Sequence, residues 1–184
     1  SYTLELPPYR RPQIGRVIVR SVFDRTLFVL GRAVAVAAPA GLIIWLAANI
    51  SINGANVLSV CAALLDPIGK IMGLDGVILL AFILGFPANE TVIPIIIMTY
   101  AASGTIGGAG NLSETLALFL SNGWSVRTAV CFIIFTLMHW PCSTTLLTIK
   151  KETGSLKWTV LAFLLPTAAG VLLCIAANLI FKLL

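Results

Sequence analysis

Glu90 is the one acidic residue lying inside a long apolar run of this chain, and His139 is its only histidine. Asn89 precedes the first, and Cys142 follows the second by three residues. A carboxylate, an amide oxygen, an imidazole and a thiol together suit a borderline divalent transition metal. Holding a charge at mid-bilayer depth costs roughly 2.5–3.5 kcal/mol or more, so an ionisable group retained there reads as functional. The bland alternatives are a protonated Glu90 bonded to a neighbouring helix and a His139 satisfied by a carbonyl. Metal contact is expected more of Cys142, beside a helix break, than of His139. Cys61, Cys131 and Cys174 are expected to pack as small apolar residues.

Both clusters fall where an apolar run is interrupted. GFPANE (85–90) breaks the run Gly76–Tyr100, and HWPCS (139–143) breaks the run Val126–Ile149. Pro87 and Pro141 each remove a backbone donor and clash with the preceding turn. Irregular backbone at membrane depth is tolerated only where it is buried in protein or lines a wet cavity. Paired interruptions of this kind mark the substrate sites of transporters. Ser143, Thr144, Thr145 and Thr148 follow the second break and Thr91 and Thr99 flank the first. Their hydroxyls are expected to cap freed carbonyls, with lining of a path as the sharper role.

The elements that carry these breaks are predicted to be all α-helical. Residues 1–13 read as an extended strap and Ile14–Phe28 as a basic helix at the membrane interface. A first span covers Leu27–Ile50, with Pro39 and Gly41 inside it, and a shorter apolar stretch covers Ala55–Gly69. The two broken runs come next, separated by a Gly/Ser/Asn-rich loop (103–123) that contains an amphipathic piece, Leu112–Leu120. KKETGSLK (150–157) is a hydrophilic turn before a clean final span, Trp158–Leu184. About four long spans are expected, with a re-entrant segment among them. The division is 1–32, a cytoplasmic strap and interfacial helix, and 33–184, the transmembrane part.

Composition fixes the class. Of 184 residues, 59% are hydrophobic and 10% charged, and the mean hydropathy is +1.02. A soluble domain carries about 25% charged residues to wet its surface, so this is an integral membrane protein. The net charge is +5, and six of the twelve cationic residues crowd into Arg10–Arg32. Ahead of an apolar span, Arg10, Arg11, Arg16 and Arg20 read as an anchor to anionic headgroups rather than a nucleic-acid site. The lysines at 150, 151 and 157 should face the same cytoplasmic side, which demands an even number of crossings in between. Three full spans would violate that, so either Ala55–Gly69 also crosses or one interrupted segment is a re-entrant hairpin, and a re-entrant or broken geometry is the expectation.

Several chemistries are excluded. GTIGGAG (104–110) is not a nucleotide P-loop, HExxH and GxSxG are missing, and no CxxC occurs. His139 and Cys142 lack an orienting acid or an oxyanion device, so catalysis is not expected. No signal peptide is read at the start of the chain. It begins at Ser1, and we expect it to be a piece of something longer.

GFPANETVIP (85–94), HWPCSTTLLTIKKETGSLKWT (139–159) and ELPPYRRPQIGRV (5–17) closely resemble the C-terminal half of the membrane domain of FeoB-type ferrous iron transporters. The resemblance covers nearly the whole chain. That family joins a cytosolic GTPase domain to a membrane domain with two cysteine-containing gate motifs. It implies that Pro141 and Cys142 form the second gate motif, and that Phe86, Pro87, Asn89 and Glu90 form the FPxNE element. Cys142 and Glu90 would then lie on the Fe²⁺ path. The GTPase domain and the first gate motif are missing, which implies a partner half on the same or a separate polypeptide. The expectation is the C-terminal pore part of a GTPase-regulated iron permease in a bacterial inner membrane. Fe²⁺ would be the cargo, with no nucleotide site on this chain, and assembly into a homo-oligomer is allowed. A gate-type transporter half for a nucleoside or other small solute, and a non-transporting assembly subunit, are the alternatives.

Overall fold

The computed structural model describes residues 15, 19, 22–52, 55–101 and 111–183. The strap with Arg10 and Arg11, the basic positions Arg16 and Arg20, and the glycine-rich segment 102–110 lie outside the described residues. Two compact units, 1–35 and 36–184, divide the chain.

A π-helical turn, Val22–Leu27, leads into helix α1 (Phe28–Asn49), which runs through Pro39. A two-residue ladder follows, β1 (Ser51–Ile52) antiparallel to β2 (Ala55–Asn56), with Ser51 opposite Asn56. It serves as a turn, and every other element among the described residues is helical. Asn56 caps helix α2 (Val57–Ile71) by accepting from the Ser59 N–H at 2.8 Å. The chain then turns through 109° into helix α3 (Gly76–Leu84). Gly73 makes the turn with φ +75°, a left-handed value that a Cβ disfavours. Asp75 caps α3 through Oδ1, which accepts from the Ile78 N–H at 2.7 Å.

The crossing of α2 over α3 is close enough that only glycine fits. A Cβ on Gly76 would stand 1.9 Å from the Ala62 carbonyl oxygen and 2.7 Å from the Asp66 nitrogen. So α2 lies across the start of α3 rather than continuing it. Leu64, Ile68 and Ile71 stay exposed on its outer side.

GVILLAFIL is apolar on every side, and an all-round apolar helix is buried all round. Ile78 and Ala81 are fully buried and Phe82 nearly so. After the GFPANE break comes a 3₁₀ turn, Asn89–Thr91, and helix α4 (Val92–Ala101). The direction of α4 is fixed by its far end. The Tyr100 hydroxyl donates to Asp75 Oδ2, and the Trp124 indole N–H donates to the Tyr100 oxygen at 2.9 Å. Residue 100 therefore returns to the level of residue 75. The run Gly76–Ala101 is a helical hairpin with its tip at the break. Helix α2 packs across the mouth of this hairpin.

Helix α5 (Leu112–Ser121) is the amphipathic piece, its Phe119 stacked on Trp124 at 4.5 Å. Helices α6 (Val126–Met138) and α7 (Ser143–Thr153) form one run with a break between, and α8 (Leu156–Leu183) packs back along both. Contacts descend α8 as they climb the other run. The Cys174 thiol donates to the Cys131 carbonyl at 3.3 Å, Gly170 meets Met138, and Trp140 stacks on Phe163 at 5.6 Å. Each run has 28 residues, with mean hydropathy 1.6 and 2.4, long and apolar enough to cross a membrane. The hydrophilic turn is tighter than 150–157: α7 continues through Thr153, and Gly154 alone turns left-handed at φ +62°.

The final span is not clean. Asn178 is 2% exposed, and its amide donates to the Lys70 and Ile71 carbonyls at 3.1 and 2.9 Å. It satisfies the end of α2 from a helix more than a hundred residues later.

Candidate functional site

The two breaks meet. The Ser143 N–H, at the first residue of α7, donates to the Phe86 carbonyl at 3.0 Å. Each break explains half of that bond. Because Pro87 has no N–H, the Ile83 carbonyl takes the Phe86 N–H instead, at 3.3 Å, and α3 stops. Because Pro141 ends α6, Cys142 is extended at φ −61°, ψ 158°, and Ser143 restarts the helix with a free N–H.

Unpartnered polar atoms gather at these breaks. Among the described residues the buried side-chain N and O atoms without a hydrogen bond are Asn89 Oδ1, His139 Nε2, Trp140 Nε1, Ser143 Oγ and Asn178 Oδ1. A buried polar atom without a partner costs about 1–3 kcal/mol, and four of these five atoms lie on the two breaks, in GFPANE or HWPCS.

The His139 Nδ1 lies 2.8 Å from the Thr136 carbonyl. A carbonyl only accepts, so Nδ1 carries the proton in this contact, the arrangement in which metal-ligating histidines are held through their other nitrogen. The ring packs against Phe82, with centroids 5.0 Å apart.

Cys142 caps α7 and is half-buried, its Sγ 3.1 Å from both the Thr144 and Thr145 hydroxyls. Either partner can donate in each of these contacts. Glu90 is exposed on the 3₁₀ turn of the hairpin tip, one residue from Asn89. The Thr91 and Thr99 hydroxyls donate to the Ala88 and Ile95 carbonyls, both at 2.7 Å, and Thr148 to Thr144 at 2.9 Å. These three cap backbone as expected, whereas Ser143 does not.

The structure brings Phe86 and Ser143 into contact, and with them the ends of both breaks. It does not assemble a closed metal cage, because no three of His, Cys, Asp and Glu come together among the described residues. Trp140 is a site residue the sequence reading did not single out for its N–H. With Ile83, Phe86 and Phe163 it lines an apolar cavity of about 280 Å³ beside the break. A smaller cavity, about 60 Å³, separates Ala40, Gly41 and Ile44 of α1 from Pro87 and Thr91. An aromatic beside a helix-breaking proline was the available signal for Trp140.

Residues 30–156 match the Gate family, described as nucleoside recognition. The chain is similar to the Fe(2+) transporter FeoB of Staphylococcus aureus strain MSSA476, with 29% identity over 181 residues. That match covers 94% of this chain and 26% of the relative. The Fe(2+) transporter FeoB of Methanocaldococcus jannaschii is 26% identical over 97% of this chain and 28% of its own length. That of Campylobacter jejuni is 25% identical over 89% and 28%. The chain thus spans about a quarter of the length of the curated relatives it matches. No solved structure matches it significantly.

Proposed function

The chain belongs to the Gate family, and from that premise and its likeness to the FeoB transporters we propose that it is the C-terminal pore part of a ferrous iron permease. The observation that supports the reading is the Ser143–Phe86 hydrogen bond, which joins the backbone of the two breaks. Fe²⁺ passes Asn89 Oδ1, His139 Nε2, Ser143 Oγ and Cys142 Sγ, with Glu90 at the hairpin tip supplying the charge that draws it in. Thr144 steadies the Cys142 sulfur. The sparse donor set supports transit over storage, since a conducting site must bind weakly enough to release. Pro87 and Pro141 are the joints about which the hairpin tip and the α6–α7 run move.

Crossings by α1, by α6–α7 and by α8, with the hairpin returning to its own side, put two crossings between Arg32 and Lys150. The arginines and the lysines at 150, 151 and 157 then share the cytoplasmic face of an inner membrane. The remaining gate half and its GTPase module, on this or another polypeptide, complete the pore and time its opening. Arg10, Arg11, Arg16 and Arg20 anchor the strap to anionic headgroups.

Anaerobic Fe²⁺ binding to the purified chain in detergent, alone and co-expressed with the other gate half, tests this. Glu90→Gln, Cys142→Ser and His139→Ala each weaken binding about tenfold or more while thermal unfolding stays near wild type. Folded variants that bind as wild type does refute the iron path. Unfolding without selective metal loss supports the assembly-subunit reading instead.

A second reading draws on the aromatic cavity of Ile83, Phe86, Trp140 and Phe163. Its stacked Trp140 and Phe163, with an unpartnered indole N–H, suit an aromatic solute such as a nucleobase. Saturable quenching of tryptophan fluorescence by uridine or adenosine, lost in Trp140→Phe, would favour that reading over iron.

A further inference from the structure

At the mouth of the hairpin, away from both breaks, α2 turns into α3, α5 turns into α6, and α8 ends. A cavity of about 360 Å³ opens there. Lys70 lines it from the last turn of α2, Arg127 from the first turn of α6, and Lys182 from the last turn of α8. The one acid on its wall is Asp75, and both Asp75 oxygens are engaged, Oδ1 by the Ile78 N–H and Oδ2 by the Tyr100 hydroxyl. Lys70 is paired with Asp66 at 2.5 Å. Arg127 and Lys182 have no ion pair among the described residues.

With Lys70 paired to Asp66 and the Asp75 carboxylate on the same wall, Arg127 and Lys182 are the cations left without an ion pair among the described residues, and an anion shared between them offsets their repulsion. Their position sharpens the point. This end of α6 and α8 is opposite the Lys150–Lys157 turn, so these residues stand on the face where cations are depleted by the positive-inside bias. They are also level with helix ends, where bilayer phosphates lie. Trp124, which lines the cavity, is the residue type enriched at that depth. Asn122 and Thr128 on the wall supply neutral hydrogen-bonding groups, and the volume accommodates a phosphate and part of its ester.

We propose that this cavity binds a phosphate-bearing anion, the chemistry shared by an anionic phospholipid headgroup and free phosphate. The site is separate from the path at the breaks and stands whether or not iron passes there. Arg127 forks across two phosphate oxygens, while Lys182 and Lys70 contribute point charges.

Native mass spectrometry of the chain, released from mixed micelles doped with phosphatidylglycerol or phosphatidylcholine, tests it. One phosphatidylglycerol is retained per chain in preference to phosphatidylcholine. Arg127→Gln and Lys182→Gln each weaken retention about fivefold, as expected for one interfacial cation, and the double variant about 25-fold. Arg127→Lys restores only part of it, because lysine keeps the charge and loses the fork, and Lys150→Gln with Lys151→Gln, at the opposite end, changes nothing. Inorganic phosphate at millimolar concentration distinguishes the source. If it displaces the lipid and raises the melting temperature alone, free phosphate is the ligand, and if it does neither, the headgroup is. Equal retention of both lipids with no effect of phosphate overturns the proposal. So does an Arg127→Gln, Lys182→Gln double variant that melts as wild type does and retains phosphatidylglycerol undiminished.

Discussion

Replacing Ser143 by proline removes the backbone N–H that ties the two breaks together and sets the ring Cδ against the Phe86 carbonyl that accepted it. Ser143 is the first residue of α7, where proline is favoured because its missing donor has no helical partner. Cys142, at φ −61° and ψ 158°, already occupies the region required of a residue before proline. The helix should therefore start as before, while the Phe86 carbonyl loses its 3.0 Å donor. In aqueous proteins such a loss costs about 1–3 kcal/mol. Polar contacts between membrane helices average about 0.6 kcal/mol and reach about 1.7, because the unfolded state in lipid finds other partners. Phe86 is half-buried, so we expect 1–2 kcal/mol, around tenfold in the folding equilibrium. Ser143→Ala is the matched control. It deletes only the unpartnered Oγ, and losing an unsatisfied polar atom is neutral or mildly stabilising. Unfolding by SDS in mixed micelles, followed by tryptophan fluorescence, reads both. Ser143→Pro should unfold at lower SDS than Ser143→Ala. If the two variants unfold together, the backbone bond does not hold the breaks, and the site loses its geometric basis.

Three further outcomes follow from named contacts. Gly76→Ala places a carbon 1.9 Å from the Ala62 carbonyl oxygen, so α2 must lift from α3; we expect more than about 2 kcal/mol of destabilisation in the same SDS titration, and a neutral result would contradict the crossing. Asn178→Ala strips the donors from the Lys70 and Ile71 carbonyls and should cost about 2 kcal/mol; Asn178→Asp should be no better, since a carboxylate cannot donate, and full rescue by aspartate would show the amide is not the strap. Tyr100→Phe leaves the Asp75 cap on α3 but unlinks Asp75 from Trp124. Hydrogen exchange at residues 76–80 should then rise several-fold, and unchanged exchange would mean the mouth of the hairpin is held by packing alone.

The breaks were legible because proline has a single physical meaning inside a helix, and Pro87 and Pro141 stand amid apolar runs with polar residues beside them. The direction taken after a break was not legible at 76–101. A run that continues and a run that returns have the same composition, and only the Asp75–Tyr100 contact tells them apart. The charge count asked only for an even number of crossings between the arginines and the lysines, which a return or a crossing by 55–69 would each meet. The turn at 150–157 was read too wide because lysines look like loop. At a helix C-terminus Lys150 and Lys151 are favourable against the backbone dipole, so the helix keeps them and stops at Gly154. Asn178 was overlooked because one amide among 28 residues hardly lowers hydropathy, yet each intramembrane amide must find a partner. At the site, the donor types were readable and their convergence was not, since the Ser143–Phe86 bond joins residues that no local pattern connects.

The Asn178 strap has a consequence for biosynthesis. The carbonyls it satisfies, at Lys70 and Ile71, precede it by 108 and 107 residues. At about 5–20 residues per second, a nascent chain waits roughly 5–20 s between emergence of the α2 end and arrival of its partner. During that interval the hairpin is present in full but its mouth has no latch on that side, and its tip carbonyl at Phe86 waits for Ser143 as well. A ribosome stalled before Asn178 would leave both breaks translated and the α2 carbonyls still without their donor. Synthesis of α8 is thus the event that latches the mouth of the hairpin.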